Sequence, residues 1–113
     1  MILAGDLNTV ADTPELKYLL SRNYTPVALP PNSLTWDVAN PNCIAQDRPE
    51  NEGSRGPVED LLYANLSKMN CTLDHVFVKD NALPNYMAEI CMKESINGAV
   101  PSDHYGIFVT FQI

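Results

Sequence analysis

Towards the end of the chain, the sequence PSDHYG (residues 101–106) is followed by the apolar run IFVTFQI (residues 107–113). Ser and Asp next to Pro favour a turn, and Gly106 frees the backbone just before the run. The run is rich in β-branched and aromatic residues, which predicts one buried strand. Asp103 and His104 therefore lie side by side on a turn that leads into a strand, where α/β proteins often place chemistry.

The composition is that of a globular chain with an acidic balance. At 113 residues, 45% of them hydrophobic, the chain is long enough for one domain with a core. Its formal net charge of -7 argues against a protein that holds nucleic acid by charge alone, because such binding needs Lys and Arg. The charge suits cation binding, although an ordinary solvated acidic surface is the simpler explanation for most of it.

The three cysteines, Cys43, Cys71 and Cys91, form no CxxC pair, so the sequence indicates neither a disulfide framework nor a structural zinc site. Unpaired cysteines favour the cell interior over an oxidising compartment. We expect no signal peptide, because no basic region precedes the first apolar residues. No run approaches the ~20 apolar residues of a membrane span, so we expect no transmembrane segment.

A second acidic motif lies near the start of the chain, where MILA (residues 1–4) leads into GDLNT (residues 5–9). The apolar residues predict a strand that ends in Gly-Asp-x-Asn. Asp6 and Asn8 are two residues apart, so an extended backbone would point both side chains to the same side. The alternative is an Asx-turn that merely ends the strand. Capping residues, a proline and periodic leucines then predict a helix over residues 14–21.

The middle of the chain mixes loop signals with two apolar patterns. SLTWD (residues 33–37) predicts a short extended piece, whose Trp36 either packs in the core or lines a cleft. Residues 38–57 are rich in Asn, Pro, Gly and charge, and they predict a long surface loop of the kind that is usually functional or mobile. Apolar residues at i, i+3, i+4 and i+7 then predict an amphipathic helix over residues 58–68.

Two more strands are predicted before the closing motif. TLDHVFV (residues 72–78) has strand composition, and it places the Asp74 carboxylate among apolar neighbours. A buried carboxylate is costly unless it is paired, so Asp74 needs a cation, a metal or a protonated histidine nearby. His75 points the other way along the strand and is expected to be an ordinary residue of the second face. Residues 86–93 can form a further strand.

The polar side chains beside these strand signals form a coherent set, which consists of Asp6, Asn8, Asp74, Asp103 and His104. Carboxylates bind hard divalent cations, and Mg²⁺ is usually held by only one or two protein carboxylates plus substrate phosphate. An imidazole beside such a site can stabilise a phosphoryl oxygen or move a proton if a carboxylate orients it, and Asp74 is the natural orienting partner of His104. Asp6 can position and deprotonate water, while Asn8 donates to a phosphate oxygen.

The order of Gly-Asp-x-Asn, Thr-Trp-Asp, Leu-Asp-His-Val-Phe-Val and Pro-Ser-Asp-His-Tyr-Gly resembles the endonuclease/exonuclease/phosphatase superfamily, the deoxyribonuclease-I-like fold. The resemblance spans nearly the whole chain, but only the C-terminal half of that family's domain. It implies half of a four-layer α/β (α+β) sandwich, with one mainly antiparallel sheet and flanking helices. It also implies a phosphodiesterase that uses Mg²⁺ or Mn²⁺ to hydrolyse phosphodiester bonds by metal-assisted attack of water.

The resemblance assigns roles to the same polar residues. It implies that Asp6 and Asn8 contact the attacking water and the phosphate. It implies that Asp74 pairs with the catalytic His104, and that Asp103 takes part in the metal site. Residues 1–113 would then form a single partial domain, the C-terminal half of a catalytic domain.

Departures from the family pattern lead to two hypotheses. The family's first half supplies a metal-binding Asn and Glu, a second His and the facing sheet, and none of these has a counterpart in the chain; His75 also stands where that family usually has Tyr. The first hypothesis is half of a Mg²⁺-dependent phosphodiesterase acting on nucleic acid, a lipid or a small phosphodiester, with features of sphingomyelinase-like or tyrosyl-DNA-phosphodiesterase-like branches. The second is a non-catalytic fragment or interaction module with an exposed apolar sheet face. In either case we expect the isolated chain to lack turnover.

Overall fold

The structure of the protein is a computed structural model that describes residues 1–40 and 70–113. Within these residues the chain forms a mixed α+β fold of one helix and five strands. The elements in chain order are β1 (Ile2–Asp6), α1 (Pro14–Ser21), β2 (Tyr24–Pro26), β3 (Asp74–Lys79), β4 (Tyr86–Cys91) and β5 (Gly106–Phe111). The paired strands of this part of the chain are all antiparallel, and none of its helices is long and apolar enough to cross a membrane.

Three strands form one sheet in the order β1-β3-β2, with β3 in the centre. Within this sheet, burial is deepest in β3, since Phe77 is 1% exposed and Val78 is also buried. β-Branched and aromatic residues favour such a position because they pack well on a pleated surface. The register pairs Asp6 with Asp74 at one end of the β1–β3 ladder, so these two carboxyl-bearing residues are cross-strand neighbours.

Strands β4 and β5 form a second, two-stranded sheet, in which Cys91 pairs with Gly106. Side chains alternate between the two faces of a strand, and Met87 and Phe108 are exposed. A Cβ at Gly106 would lie 2.8 Å from the Cys91 Sγ atom, so a larger residue here would force the Cys91 side chain to shift. The glycine therefore makes room for a neighbouring side chain instead of supplying a special backbone angle.

The segment around Trp36 lies between the two sheets. Trp36 forms isolated antiparallel bridges with Cys71, just before β3, and with His104, just before β5. Its side chain is 3% exposed and packs with Leu73 in a core cluster that Val10 also contacts. Trp36 is therefore a core residue that connects the chain entering β3 to the chain entering β5.

Helix α1 spans Pro14–Ser21, as the sequence predicts, with its proline in the first turn. Thr13 occupies the N-cap position, although its side chain makes no capping hydrogen bond. Of the periodic leucines, Leu16 is buried while Leu20 is exposed. The helix therefore packs against β2 with a single buried side chain.

Two expectations from the sequence need correction. The described residues hold two hydrogen-bonded sheets in place of one, because β5 pairs with β4 and the Trp36 segment adds only single bridges. Strand β5 is half-buried and not fully buried, since Phe108 faces solvent. Residues 41–57 of the predicted loop and the predicted helix over residues 58–68 lie outside the described residues.

Replacing Phe77 with Ala tests the central position of β3. A fully buried Phe loses transfer free energy and packing when it is truncated, so we expect Phe77→Ala to lower the free energy of unfolding by about 3–5 kcal/mol. Phe108→Ala is the matched control: Phe108 is 55% exposed, so its free energy of unfolding should change by no more than about 0.5 kcal/mol. Urea unfolding followed by circular dichroism measures both variants. Equal losses would contradict the buried position of β3.

Candidate active site

The ends of β1 and β3 and the turn before β5 meet at one place. β1 ends at Asp6 and β3 begins at Asp74, and the two residues pair across the ladder. The turn that leads into β5 places His104 beside both of them. The ligand atoms of these three residues all lie within 4.8 Å of one another. The structure thus brings together Asp6, Asp74 and His104, which were singled out separately in the sequence.

The Asp74 carboxylate orients the His104 imidazole. Asp74 Oδ2 lies 2.7 Å from His104 Nδ1, and because a carboxylate can only accept, Nδ1 carries the hydrogen and donates it. In the neutral imidazole Nε2 is then an acceptor, and in the imidazolium it carries a second hydrogen. Nε2 lies 3.9 Å from Asp6 Oδ2, too far for a direct hydrogen bond. A water or ligand oxygen between them could contact both atoms.

Opposing influences act on the charge of His104. Burial disfavours the imidazolium and is the largest single influence, lowering the pKa. The hydrogen bond to Asp74 and the negative charges of Asp74, Asp6 and Asp103 raise the pKa. Together they outweigh burial, so the pKa of His104 lies above its ordinary value. The imidazole therefore stays charged to a higher pH than that of an unperturbed histidine.

Asn8 differs from its predicted conformation. β1 ends at Asp6, and Asn8 has a φ angle of 49°, in the left-handed region that Asn tolerates. The backbone N–H of Asn8 donates to Asp6 Oδ1 at 2.9 Å, which closes an Asx-turn. The expectation of an extended backbone from Asp6 to Asn8 is therefore wrong, and the alternative of an Asx-turn is confirmed. The turn holds one oxygen of Asp6 and leaves Asn8 exposed.

Asp103 lies on the same turn as His104 but outside the group of three. Ser102 Oγ donates to Asp103 Oδ1 at 3.3 Å and accepts from the backbone N–H of His104 at 3.1 Å. These local bonds stabilise the turn. The Asp103 carboxylate is close enough to raise the pKa of His104, while its oxygens are not among the clustered ligand atoms of the described residues.

The group of Asp6, Asp74 and His104 offers two carboxylates and one imidazole to a cation. Carboxylate oxygens are the ligands that Mg²⁺ prefers, and one or two of them suffice beside substrate phosphate and water. Asp6 suits this role best, because its side chain is 40% exposed while Asp74 is engaged by His104. The imidazole nitrogen would also suit Zn²⁺. The donor set therefore fits a divalent cation without selecting Mg²⁺.

Two ring side chains lie beside the group. The Trp36 ring stands edge-on to the His104 imidazole with 5.1 Å between ring centroids, and since Trp36 is buried it supports the imidazole from the core instead of lining an open cleft. His75 Nε2 lies 2.6 Å from the carbonyl oxygen of Thr9 and donates to it, because a carbonyl oxygen can only accept. His75 therefore stabilises the segment that follows Asn8.

Two fully buried polar residues that sequence reasoning missed hold this site in place. Thr35 and Asn40 are both 0% exposed. The Thr35 hydroxyl accepts hydrogen bonds from the backbone N–H groups of Leu73 and Asp74, at 3.0 and 3.2 Å. Asn40 Nδ2 donates to the carbonyl oxygen of Ser102 at 3.0 Å. The Thr-Trp-Asp motif was the available signal, but nothing in the local sequence distinguishes a buried Thr from an exposed one.

Comparison of the chain with protein-family models, with curated proteins and with solved structures finds no match. Any function proposed for the chain therefore rests on two observations. One is the geometry of Asp6, Asp74 and His104, and the other is the order of the motifs along the sequence.

Replacing Asp74 with Asn tests the charge of His104. The substitution removes the negative charge at Nδ1, so we expect the pKa of His104 to fall. A raised folded pKa contributes stability that is fully present below the unfolded pKa of about 6.5 and is lost as the pH rises through the folded pKa. The free energy of unfolding of the wild type should therefore fall as the pH rises from about 6.5 through the folded pKa of His104, and that of Asp74→Asn should fall less. NMR titration of the imidazole in EDTA and urea unfolding over the same pH range measure the two effects.

Asp80→Asn is the matched control for this experiment. Asp80 is an exposed turn residue whose carboxylate lies 3.4 Å from Lys79 Nζ, so its removal should leave the pKa of His104 as it is in the wild type. A wild-type pKa in Asp74→Asn would contradict the hydrogen bond assigned to Nδ1.

Proposed function

We propose that the chain carries one half of the catalytic centre of a Mg²⁺- or Mn²⁺-dependent phosphodiesterase of the endonuclease/exonuclease/phosphatase superfamily. The observation that carries the proposal is the orientation of His104, with Nδ1 2.7 Å from Asp74 Oδ2 and Nε2 3.9 Å from Asp6 Oδ2. An imidazole held at one nitrogen and directed at a second carboxylate is suited to proton transfer. The order of the motifs along the chain supports the same class.

His104 and Asp6 have complementary roles in the proposed reaction. Since the pKa of His104 is raised, the imidazolium can donate from Nε2 to a phosphoryl oxygen that gains negative charge. Asp6 positions a water molecule and accepts its proton as the water oxygen attacks phosphorus. The bond from phosphorus to the leaving oxygen breaks as the new bond forms. The leaving oxygen takes up a proton from solvent, Asp6 releases its proton to solvent, and the products are a phosphomonoester and an alcohol. Asp74 keeps the imidazole oriented throughout.

Asn8 and Asp103 complete the proposed set of residues. The side-chain amide of Asn8 donates to a phosphate oxygen, which its exposed position next to the Asp6 turn allows. Asp6 would hold the cation through its carboxylate, and the family resemblance assigns Asp103 as a further ligand, although its oxygens lie outside the cluster of Asp6, Asp74 and His104. When bound, the cation would polarise a phosphoryl oxygen and stabilise its negative charge.

The proposed substrate is a phosphodiester in a nucleic acid, a phospholipid or a small molecule. The net charge of -7 favours substrates held through a cation and single contacts over a polyanion held by charge alone. We further propose a four-layer sandwich, in which the family's first half supplies the facing sheet and the remaining metal ligands. Exposed apolar side chains on the described sheets, Ile2 and Met87 among them, support a facing layer.

A second candidate function is a binding module without catalysis. The observation that favours it is again the exposure of Ile2, Met87 and Phe108 on the two sheets, because exposed apolar surface of this kind is typical of protein interaction sites. This function would need the apolar surface but not the orientation of His104. The two candidates therefore differ in whether His104 matters.

Hydrolysis of bis(para-nitrophenyl) phosphate tests the proposed function. The chain is assayed alone and together with a separately expressed first half of a superfamily domain, with Mg²⁺ and after treatment with EDTA. We expect turnover that needs both halves and the metal. His104→Gln should lower that turnover by roughly 100-fold or more, because general acid–base catalysis typically contributes about 10²–10⁴-fold.

The controls use the acidic residues. Asp6→Asn should lose turnover as His104→Gln does, whereas Asp80→Asn, which changes an exposed turn residue, should keep it. Turnover that survives in His104→Gln would contradict the catalytic role of the imidazole. Association of the two halves with no turnover in any variant would favour the binding module.

A further inference from the structure

We propose that Thr35 is a positioning residue of the candidate active site, whose hydroxyl and carbonyl oxygens hold the Asp74 carboxylate at the His104 imidazole. Thr35 acts through the backbone of the two segments that carry these side chains. The catalytic meaning of this role rests on the proposed function. The positioning itself is a property of the fold and can be measured without turnover.

The hydroxyl of Thr35 holds the start of β3. Thr35 Oγ1 accepts from the N–H groups of Leu73 at 3.0 Å and of Asp74 at 3.2 Å. β2 pairs with β3 only at residues 77–79, so β2 does not reach the N–H groups of Leu73 and Asp74. The Thr35 hydroxyl is their acceptor instead. A hydroxyl oxygen has two acceptor lone pairs, which is enough for both, and a buried N–H without an acceptor would be costly. The residue that orients His104 is therefore held through its own N–H.

The backbone oxygen of Thr35 holds the other segment. It accepts from the N–H of Tyr105 at 2.8 Å, and Tyr105 directly follows His104. The next residue, Trp36, bridges to His104 and packs edge-on against its ring. Asp74 and His104 are 30 residues apart in sequence, and the two oxygens of Thr35 hold their segments together beside the bridges of Trp36.

Asn40 holds the far side of the same turn. Its Nδ2 donates to the carbonyl oxygen of Ser102 at 3.0 Å, and its side chain is fully buried. The turn from Ser102 to Tyr105 is thus held at both ends by the segment from Thr35 to Asn40. With the turn held there, the Thr35 hydroxyl and the ladder pair with Asp6 together fix where Asp74 lies relative to His104.

The position of Asp74 matters because it decides which nitrogen of His104 carries the hydrogen. The 2.7 Å bond between Nδ1 and Oδ2 keeps the hydrogen on Nδ1 and leaves Nε2 directed at Asp6. A displacement of Asp74 by about 1 Å would break this bond, and the neutral imidazole could then carry its hydrogen on Nε2. Val resembles Thr in shape but has no acceptor, so Thr35→Val would release the start of β3.

The test compares Thr35→Val in the full chain with Thr35→Ser, which keeps the hydroxyl, and with Thr110→Val at an exposed position of β5. The nitrogen NMR shifts of the His104 imidazole, measured in EDTA at a pH where the ring is neutral, report which nitrogen carries the hydrogen. We expect hydrogen on Nδ1 in the wild type, Thr35→Ser and Thr110→Val. Thr35→Val should shift towards hydrogen on Nε2 and lose hydrogen-exchange protection at the Leu73 and Asp74 amides.

The kinetic readout uses the complemented domain. Thr35→Val should lower kcat by about 10- to 100-fold with KM nearly unchanged, as expected when a group next to the chemistry is misplaced by about 1 Å. Thr35→Ser should recover most of the wild-type kcat. A merely structural role would lower the unfolding midpoint of Thr35→Val and leave the imidazole shifts as in the wild type, and this result would overturn the proposal.

Two further measurements apply if Thr35→Val does not fold. Thr35→Cys then replaces it, because sulfur is a weak acceptor, and we expect an imidazole shift between those of the wild type and Thr35→Val. Wild-type imidazole shifts in a Thr35→Cys variant whose Leu73 and Asp74 amides have lost their protection would overturn the proposal. If Thr35→Cys also fails to fold, hydrogen exchange in the wild type decides. Slow exchange at these two amides supports the proposal, and exchange as fast as at the exposed Asn81 overturns it.

The outcomes also separate the proposal from the proposed function. A shift of the imidazole hydrogen in Thr35→Val, with no turnover in any variant, would support the positioning role and contradict the phosphodiesterase. Turnover that depends on His104 but not on Thr35 would support the phosphodiesterase and contradict the positioning role.

Discussion

Two oxygen atoms of one buried residue, Thr35, connect parts of this protein that share no continuous ladder of hydrogen bonds. The hydroxyl accepts from the start of β3, and the carbonyl accepts from the segment that enters β5. The three-stranded and two-stranded sheets of the described residues therefore meet around the short segment of Thr35 and Trp36. A fully buried polar group persists in such a place only when its hydrogen bonds are satisfied. The geometry of Asp6, Asp74 and His104 depends on that constraint.

The same geometry explains the charge of the site. Asp6 and Asp74 lie opposite each other in the β1–β3 register, which is unfavourable for two like charges. The His104 imidazolium offsets this repulsion. The same attraction between the imidazolium and the carboxylates raises the pKa of His104.

Local structure was largely predictable from the sequence. Helix α1 has its predicted bounds, Pro14–Ser21, because a proline in the first turn and periodic leucines are local signals. The β3 and β5 strands follow from β-branched and aromatic residues. Asn8 was harder to place, since the choice between a continued strand and an Asx-turn depends on one φ angle at a residue that tolerates both. The division into two sheets was not predictable, because strand pairing depends on partners that are distant in the chain.

The sequence by itself determined the α+β class, the approximate positions of β1, β3, β4 and β5, and the chemical groups near the strand ends. It did not predict β2, whose residues Tyr24–Pro26 begin a proline-rich stretch that is typical of a loop. Only the tertiary structure decided which of these groups meet. Asp74 lies 2.7 Å from His104 although 30 residues separate them, whereas Asp103, the residue before His104, lies outside the cluster. The role of Thr35 likewise became apparent only from the tertiary structure. The physical reason is range: backbone preferences and side-chain periodicity act over a few residues, whereas a hydrogen bond between distant residues depends on strand register and on how buried surfaces pack.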